Sequence, residues 1–311
     1  MWLENFLTKQ STKIVLCLKR VNNLVEVRKI AVLGAGLMGH GIAQVAAQVG
    51  KYEVSVRDVE QRFLDGGMGM IRESLQRFLR KGKITEAEMN ETLARIHPTL
   101  DLKEAVSNAD LIIEAVPENV DLKKAIYREV DGLAPAHAII ASNTSSISIT
   151  ELASATNRPE KVCGMHFFNP PQLMKLVEVI KGAKTSDETL QTVLDVAHKM
   201  GKETVLVKKD CPGFIVNRIL IPALNEAAAL YWEGVADRDD IDKAVKLGLN
   251  WPMGPLMLID YIGADTTLAI AEVLMREVDP KFHPSPGLKQ MVKARLLGRK
   301  TGKGFYDWTQ K

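Results

Sequence analysis

An apolar run that ends in three spaced glycines constrains this chain more than any other feature. Residues 30–33, Ile-Ala-Val-Leu, read as a buried parallel strand. They run into Gly34-Ala-Gly36-Leu-Met-Gly39, and Ala/Val/Gln-rich helical sequence follows up to Gly50. Each glycine has its own physical task. Gly34 permits the tight turn, Gly36 lets backbone approach a pyrophosphate, and Gly39 lets helix pack on strand. The helix start adds unpaired N–H groups and a partial positive charge. A second strand, residues 53–56, leads to Asp58, roughly twenty residues past Gly39, where a carboxylate accepts bonds from a ribose diol. The pattern predicts a dinucleotide site. A carboxylate at Asp58 repels a 2′-phosphate, so NAD is expected rather than NADP. Arg57 precedes it in the strand and points to the opposite face.

The rest of the composition agrees with a globular, two-domain chain. The sequence has 311 residues, 46% hydrophobic and 25% charged, with a net charge of +3 that does not suggest a nucleic-acid partner. Cys17, Cys163 and Cys211 are scattered, with no C-x-x-C, which argues against a disulfide framework and for a reducing, cytoplasmic setting. The six histidines show no metal-ligand spacing, so no metal is expected. No apolar run approaches twenty residues, so no membrane span is expected. Residues 1–27 are basic and read as an N-terminal extension of unknown role.

Strands and helices alternate up to about residue 208. Expected strands are 28–33, 53–57, 110–116, 138–141, 162–167 and 204–207. Helices are expected over 60–96 with a break near Gly82, and over 121–133 and 187–200. This predicts an α/β, Rossmann-type, doubly wound and mostly parallel sheet over residues 28–208. Lys208-Lys-Asp-Cys-Pro-Gly213 reads as a linker. Residues 209–311 read as all-helical, with helices at 214–233, 238–247, 255–276 (broken at Gly263) and 287–296. Pro222 predicts a kink or local break in the first of these. In an open α/β sheet, ligands sit off the carboxyl ends of the parallel strands. Gly34–Gly39, Asp58, Glu118, Asn143–Ser146 and His166 all fall at such ends. Arg72, Arg77, Arg80, Lys81 and Lys83 line the polar side of the long helical region.

A further constellation carries chemistry. In His166-Phe-Phe-Asn-Pro-Pro-Gln-Leu-Met-Lys-Leu-Val-Glu178, two β-prone stretches flank a turn-prone Asn169-Pro170-Pro171. A hairpin folded about residue 172 puts His166 opposite Glu178. A histidine beside a carboxylate is a general base with an orienting group. A surface ion pair of little worth is the competing reading.

With these motifs in order, the chain resembles the L-3-hydroxyacyl-CoA dehydrogenases, most of all their short-chain 3-hydroxybutyryl-CoA branch. Besides the glycine turn and the hairpin, the resemblance is carried by Ala141-Ser-Asn143-Thr-Ser145-Ser and Pro212-Gly-Phe-Ile-Val-Asn217-Arg218. Gly254-Pro-Leu-Met-Leu-Ile-Asp260 and Arg299-Lys-Thr-Gly-Lys-Gly-Phe-Tyr-Asp-Trp308 complete it. It runs from about Lys29 to the C-terminus. It implies reversible, NAD-dependent oxidation of an (S)-3-hydroxyacyl-CoA to a 3-oxoacyl-CoA, with His166 as base and Glu178 as its orienting carboxylate. Ser145 and Asn217 would hold the substrate's 3-oxygen and the histidine. Gly34, Gly36, Leu37, Met38, Gly39 and Asp58 would bind NAD, with Glu118, Lys123 and Asn143 near the nicotinamide ribose or the substrate. The basic arm after residue 60 would meet coenzyme A, and the helical domain would serve substrate binding and homodimerisation. The alternatives are a free hydroxy-acid or sugar-acid dehydrogenase, and a non-catalytic crystallin-like relative. The presence of both His166 and Glu178 weighs against them.

Overall fold

The computed structural model describes residues 25–309, so residues 1–24 of the N-terminal extension lie outside the described part. The chain divides into two compact units after Asp210. In the first, eight strands form one sheet in the order β3-β2-β1-β4-β5-β6-β7-β8. The strands are β1 (Lys29–Leu33), β2 (Glu53–Arg57), β3 (Ile96–Thr99), β4 (Leu111–Glu114), β5 (Ile139–Ser142), β6 (Val162–Phe167), β7 (Leu176–Ile180) and β8 (Glu203–Val207). Strands β1 to β6 run parallel to one another; β7 is antiparallel to β6, and β8 is parallel to β7. The first six follow the doubly wound dinucleotide-binding order, with the reversal between β1 and β4.

The central strands are apolar because both faces are covered. All of β4, β5 and β6 is buried, and so are Ile30 to Leu33 of β1. Helix α1 (Gly39–Gln48) is buried along all but its last residue. Helix α2 (Gln61–Arg80) is amphipathic and turns Leu64, Met68, Ile71 and Leu75 to the core. A capping box at Thr85 and Glu88 starts α3 (Glu86–Ala94). Helix α4 (Leu102–Val106), α5 (Val120–Leu133), α6 (Ile149–Ala153) and α7 (Asp187–Lys199) complete the unit. The long helical region ends at Ala94, two residues short of the expected end. Strand β3 and helix α4, which were not anticipated, follow it. Strand β3 is four residues long at the sheet edge, contains Pro98 and buries only Ile96, so it carries no alternating signal.

The second unit contains α8 (Val216–Trp232), α9 (Arg238–Gly248), α10 (Pro255–Ile262), α11 (Ala264–Glu277) and α12 (Pro286–Lys293). Helix α8 continues through Pro222, so the expected local break is absent. Gly263 does end α10, at φ 103°. Ile221, Leu224, Leu256, Ile259, Leu274 and Leu288 form its core.

Two buried carboxylates fasten the chain end to this core. Asp260 accepts from the backbone N–H of Phe305 (2.9 Å) and Tyr306 (2.8 Å) and from Trp308 Nε1 (2.8 Å). Asp242 accepts from Tyr306 Oη (2.7 Å) and from the N–H groups of Leu256 and Met257 at the start of α10. The resembling motifs that end at Asp260 and Trp308 are therefore two halves of one staple. Asp260→Ala is expected to lower unfolding stability by about 3 kcal/mol, because three donors lose a charged acceptor in a buried place. Denaturant titration checks it; a change under about 0.5 kcal/mol would refute the staple.

Candidate active site

The turn after β1 has the geometry of a phosphate cradle. Gly34 sits at φ 100°, a conformation that favours glycine. A Cβ on Gly39 would stand 1.7 Å from the Gly34 carbonyl oxygen, so α1 packs against the turn only without one. A Cβ on Gly36 would meet nothing within 4 Å, which leaves open space beside the backbone. No side chain caps the start of α1. Among the described residues, six other α-helix starts are capped, by Thr85, Asp101, Asn119, Ser148, Ser186 and Ser285. Leu37 is 60% exposed on this turn, and Met38 packs partly into the core. At the end of β2, the Asp58 carboxylate accepts from Ala35 N–H and Val59 N–H, both at 2.7 Å. It is thereby held at the turn, with lone pairs left for a ribose diol. An open glycine, an uncapped helix start and a fixed carboxylate fit a dinucleotide.

His40, which the sequence reading passed over, braces this turn. It is 6% exposed, and its Nδ1 lies 2.9 Å from the Gly36 carbonyl oxygen. Burial pushes its imidazole below the ordinary histidine range; the Gly36 bond opposes this and Arg77 adds to it. A neutral ring with its proton on Nδ1 donates to Gly36. Nothing local in the sequence marks the residue after the third glycine for this task.

At the other side of the reversal, β6 and β7 pair with His166 opposite Glu178. Their Nδ1 and Oε2 atoms are 2.8 Å apart. His166 is 5% exposed and Glu178 is wholly buried. A carboxylate only accepts, so Nδ1 donates to Glu178 and Nε2 carries the ring's lone pair. The Phe168 ring lies against the imidazole, centroids 4.7 Å apart. Lys202 holds the connection between the two strands through the carbonyls of Pro171 and Met174.

The β5 end stands beside them. Asn143 Oδ1 accepts from the Phe167 N–H at 2.9 Å, so Asn143 fixes the strand end that carries His166. Glu118 Oε1 accepts from Ser145 N–H (3.1 Å), Ser146 N–H (3.2 Å) and the hydroxyls of Thr144 and Ser146. Lys123 is 1% exposed, and its ammonium lies 2.6 Å from Glu114 and 3.2 Å from Glu118. The first unit thus brings Gly34–Gly39, Asp58, Glu118, Asn143, Ser145, His166 and Glu178 to the end of the sheet where the parallel strands finish. Asn217 stands in the first turn of α8, in the helical unit. Arg72, Arg77, Arg80, Lys81 and Lys83 are exposed, with Arg77 paired to Glu73 at 2.8 Å.

The acidic groups give a pH signature. In Asp131 and Glu118, burial works to raise the carboxyl but is outweighed. The N–H groups of Asn157 with Arg158 at Asp131, and Lys123 with the loop donors at Glu118, hold each below the ordinary carboxylate range. Each folded carboxyl binds its proton less tightly than the unfolded one. Its stabilisation is therefore present above the unfolded value and is lost as pH falls through the folded value. Denaturant midpoints are expected to fall as pH drops below about 5, through the unfolded carboxylate range and beyond. A midpoint that stays flat there would refute both contributions.

Comparison with known proteins places this geometry in context. The 3-hydroxyacyl-CoA dehydrogenase NAD-binding domain matches residues 29–211, and the C-terminal domain of the same family matches residues 213–308. A probable 3-hydroxybutyryl-CoA dehydrogenase of Deinococcus radiodurans is 52% identical over 281 residues, 90% of this chain and 100% of that one. The human mitochondrial hydroxyacyl-coenzyme A dehydrogenase is 43% identical over 291 residues, 91% of this chain and 92% of that one. The crystal structure of an (S)-3-hydroxybutyryl-CoA dehydrogenase from Ralstonia eutropha superimposes with a TM-score of 0.87 at 45% identity, covering 92% of this chain and 100% of that one.

Proposed function

This chain belongs to the 3-hydroxyacyl-CoA dehydrogenase family, and we propose that it interconverts short-chain (S)-3-hydroxyacyl-CoA, 3-hydroxybutyryl-CoA foremost, and the 3-oxoacyl-CoA. The observation that carries this reading is the buried His166–Glu178 pair at the same end of the parallel strands as the glycine turn. NAD, when bound, supplies the nicotinamide that takes up the hydride from C3.

The chain's own residues handle the proton and the positions. His166 Nε2 takes the proton from the 3-hydroxyl. Glu178, on Nδ1, offsets the positive charge that develops on the ring and keeps Nε2 as the accepting atom. Ser145 and Asn217 hold the 3-oxygen, and Asn143 keeps the β6 end in place through the Phe167 N–H. Gly34, Gly36, Leu37, Met38 and Gly39 receive the pyrophosphate, and Asp58 takes the adenosine ribose. Glu118 and Lys123 lie beside the nicotinamide end. The exposed basic side chains from Arg72 to Lys83 meet the phosphates of coenzyme A.

The helical unit is proposed to pair with a second copy. Ile219, Leu247 and Leu249 are 69%, 76% and 64% exposed there, which supports an apolar contact. Cytoplasmic placement is proposed from the cysteine usage; the Cys163 thiol is buried and burial pushes it up to about 12, as an inert thiol. Among the described residues no helix is long and apolar enough to cross a membrane.

The test is loss of NADH absorbance with acetoacetyl-CoA, beside free acetoacetate and NADPH as controls. Fast loss with the CoA ester and NADH alone is the expected result. Turnover of the free acid but not the ester would overturn the acyl-CoA reading.

A further inference from the structure

Glu114, the last residue of β4, has no exposed surface and no part in the chemistry above. Its Oε1 accepts from Lys123 Nζ at 2.6 Å and from Val116 N–H at 2.8 Å, and its Oε2 accepts from Ser142 Oγ at 2.7 Å. Two routes lead from it to the same loop. In one, the Lys123 ammonium, 3.2 Å from Glu118 Oε2, holds the carboxylate that gathers the donors of Thr144, Ser145 and Ser146. In the other, Ser142 Oγ accepts from Thr144 N–H at 3.2 Å.

We propose that Glu114 is a positioning residue for the Ser145 loop. Through Lys123 and Glu118 on one side and Ser142 on the other, it sets where Ser145 stands. The proposal rests on the reading of Ser145 as a holder of the substrate's 3-oxygen. Stability alone gives no reason for the arrangement. Two charges taken out of water are costly, and an apolar pair of the same volume packs as well or better. What the charges add is direction. One ammonium is shared by two carboxylates, and the balance fixes both. With the charge at Glu114 removed, Lys123 pairs with Glu118 alone and draws that carboxylate toward α5. The loop donors then lose the oxygen on which they converge.

The test is a double-mutant cycle in kcat between Glu114→Gln and Ser145→Ala, in the full chain with NADH and acetoacetyl-CoA. Rates are taken per folded enzyme, counted by NADH fluorescence titration, and the thermal midpoint is recorded for each variant. Glu114→Gln keeps the side-chain size and removes the charge. It is expected to lower kcat about tenfold or more, since a small misplacement at a reacting group is costly. The double variant is expected to be little slower than Ser145→Ala alone, because both changes act on one device. A purely structural role would lower the midpoint and the folded fraction but leave kcat per folded enzyme unchanged. That result, or effects that multiply in the double variant, overturns the proposal. If Glu114→Gln does not fold, Ser142→Ala replaces it in the cycle, since it cuts one route and leaves the ion pair. Wild-type turnover of free acetoacetate instead of the CoA ester would overturn the functional reading. The same cycle, run on that substrate, would still decide the role of Glu114.

Discussion

Replacing His166 with glutamine is expected to lower turnover by a factor on the order of 10²–10⁴, with NADH affinity left near that of the wild type. The substitution separates chemistry from architecture because of what surrounds the ring. His166 is 5% exposed in a paired strand, and its Nδ1 lies 2.8 Å from Glu178 Oε2. Glutamine has similar bulk, and its amide N–H donates to the same oxygen, so the β6–β7 pairing is kept. What it lacks is a basic ring nitrogen to accept the hydroxyl proton. The glycine turn that is proposed to hold the cofactor follows β1, on the other side of the β1–β4 reversal from β6. Steady-state rates with acetoacetyl-CoA, beside NADH fluorescence titration, check both halves. Wild-type turnover in this variant would sink the assignment of His166 as base. Loss of NADH binding with the turnover would mean that the substitution had disturbed the fold instead.

The parts of this architecture that were legible in the sequence are those whose signals are local. The β1 apolar run, its glycines and the helix after them are contiguous, and each residue type has a single physical use there. The His166–Glu178 opposition was visible because the two residues stand symmetrically about the Pro-rich turn, and antiparallel pairing turns that symmetry into contact. Strand β3 was hidden because Pro98 and an edge position leave it no alternation. Contacts made only by packing were hidden for a different reason. Lys123 was placed near the nicotinamide ribose or the substrate by the resemblance alone. In the folded unit it is 1% exposed between Glu114 and Glu118, residues nine and five positions earlier in the chain. His40 likewise reads as a filler between two glycines, and its bond to Gly36 exists only once α1 is buried.

Alanine substitutions at Gly36 and Gly39, three residues apart in the same turn, are expected to behave differently. Gly36 has no protein atom within 4 Å of where its Cβ would stand, and it lies outside the positive-φ set. Gly36→Ala is therefore expected to keep the wild-type thermal midpoint. Its methyl group would fill the space through which a pyrophosphate approaches the backbone, so NADH affinity is expected to fall at least about tenfold, or roughly 1.4 kcal/mol. Gly39 differs in kind. Its Cβ would stand 1.7 Å from the Gly34 carbonyl oxygen and 2.8 Å from the Gly34 carbonyl carbon, both backbone atoms that move only if the turn moves. Gly39→Ala is expected to destabilise the first unit by about 3 kcal/mol, as overpacking against a fixed neighbour does. It is also expected to lose NADH binding, because the turn it displaces carries Gly36 and the start of α1. Thermal denaturation and NADH titration of the two variants separate space kept for a ligand from space kept for a helix. Wild-type NADH affinity in Gly36→Ala would mean that the open space at this turn is not where the cofactor lies. A wild-type midpoint in Gly39→Ala would mean that α1 sits farther from Gly34 than this packing requires.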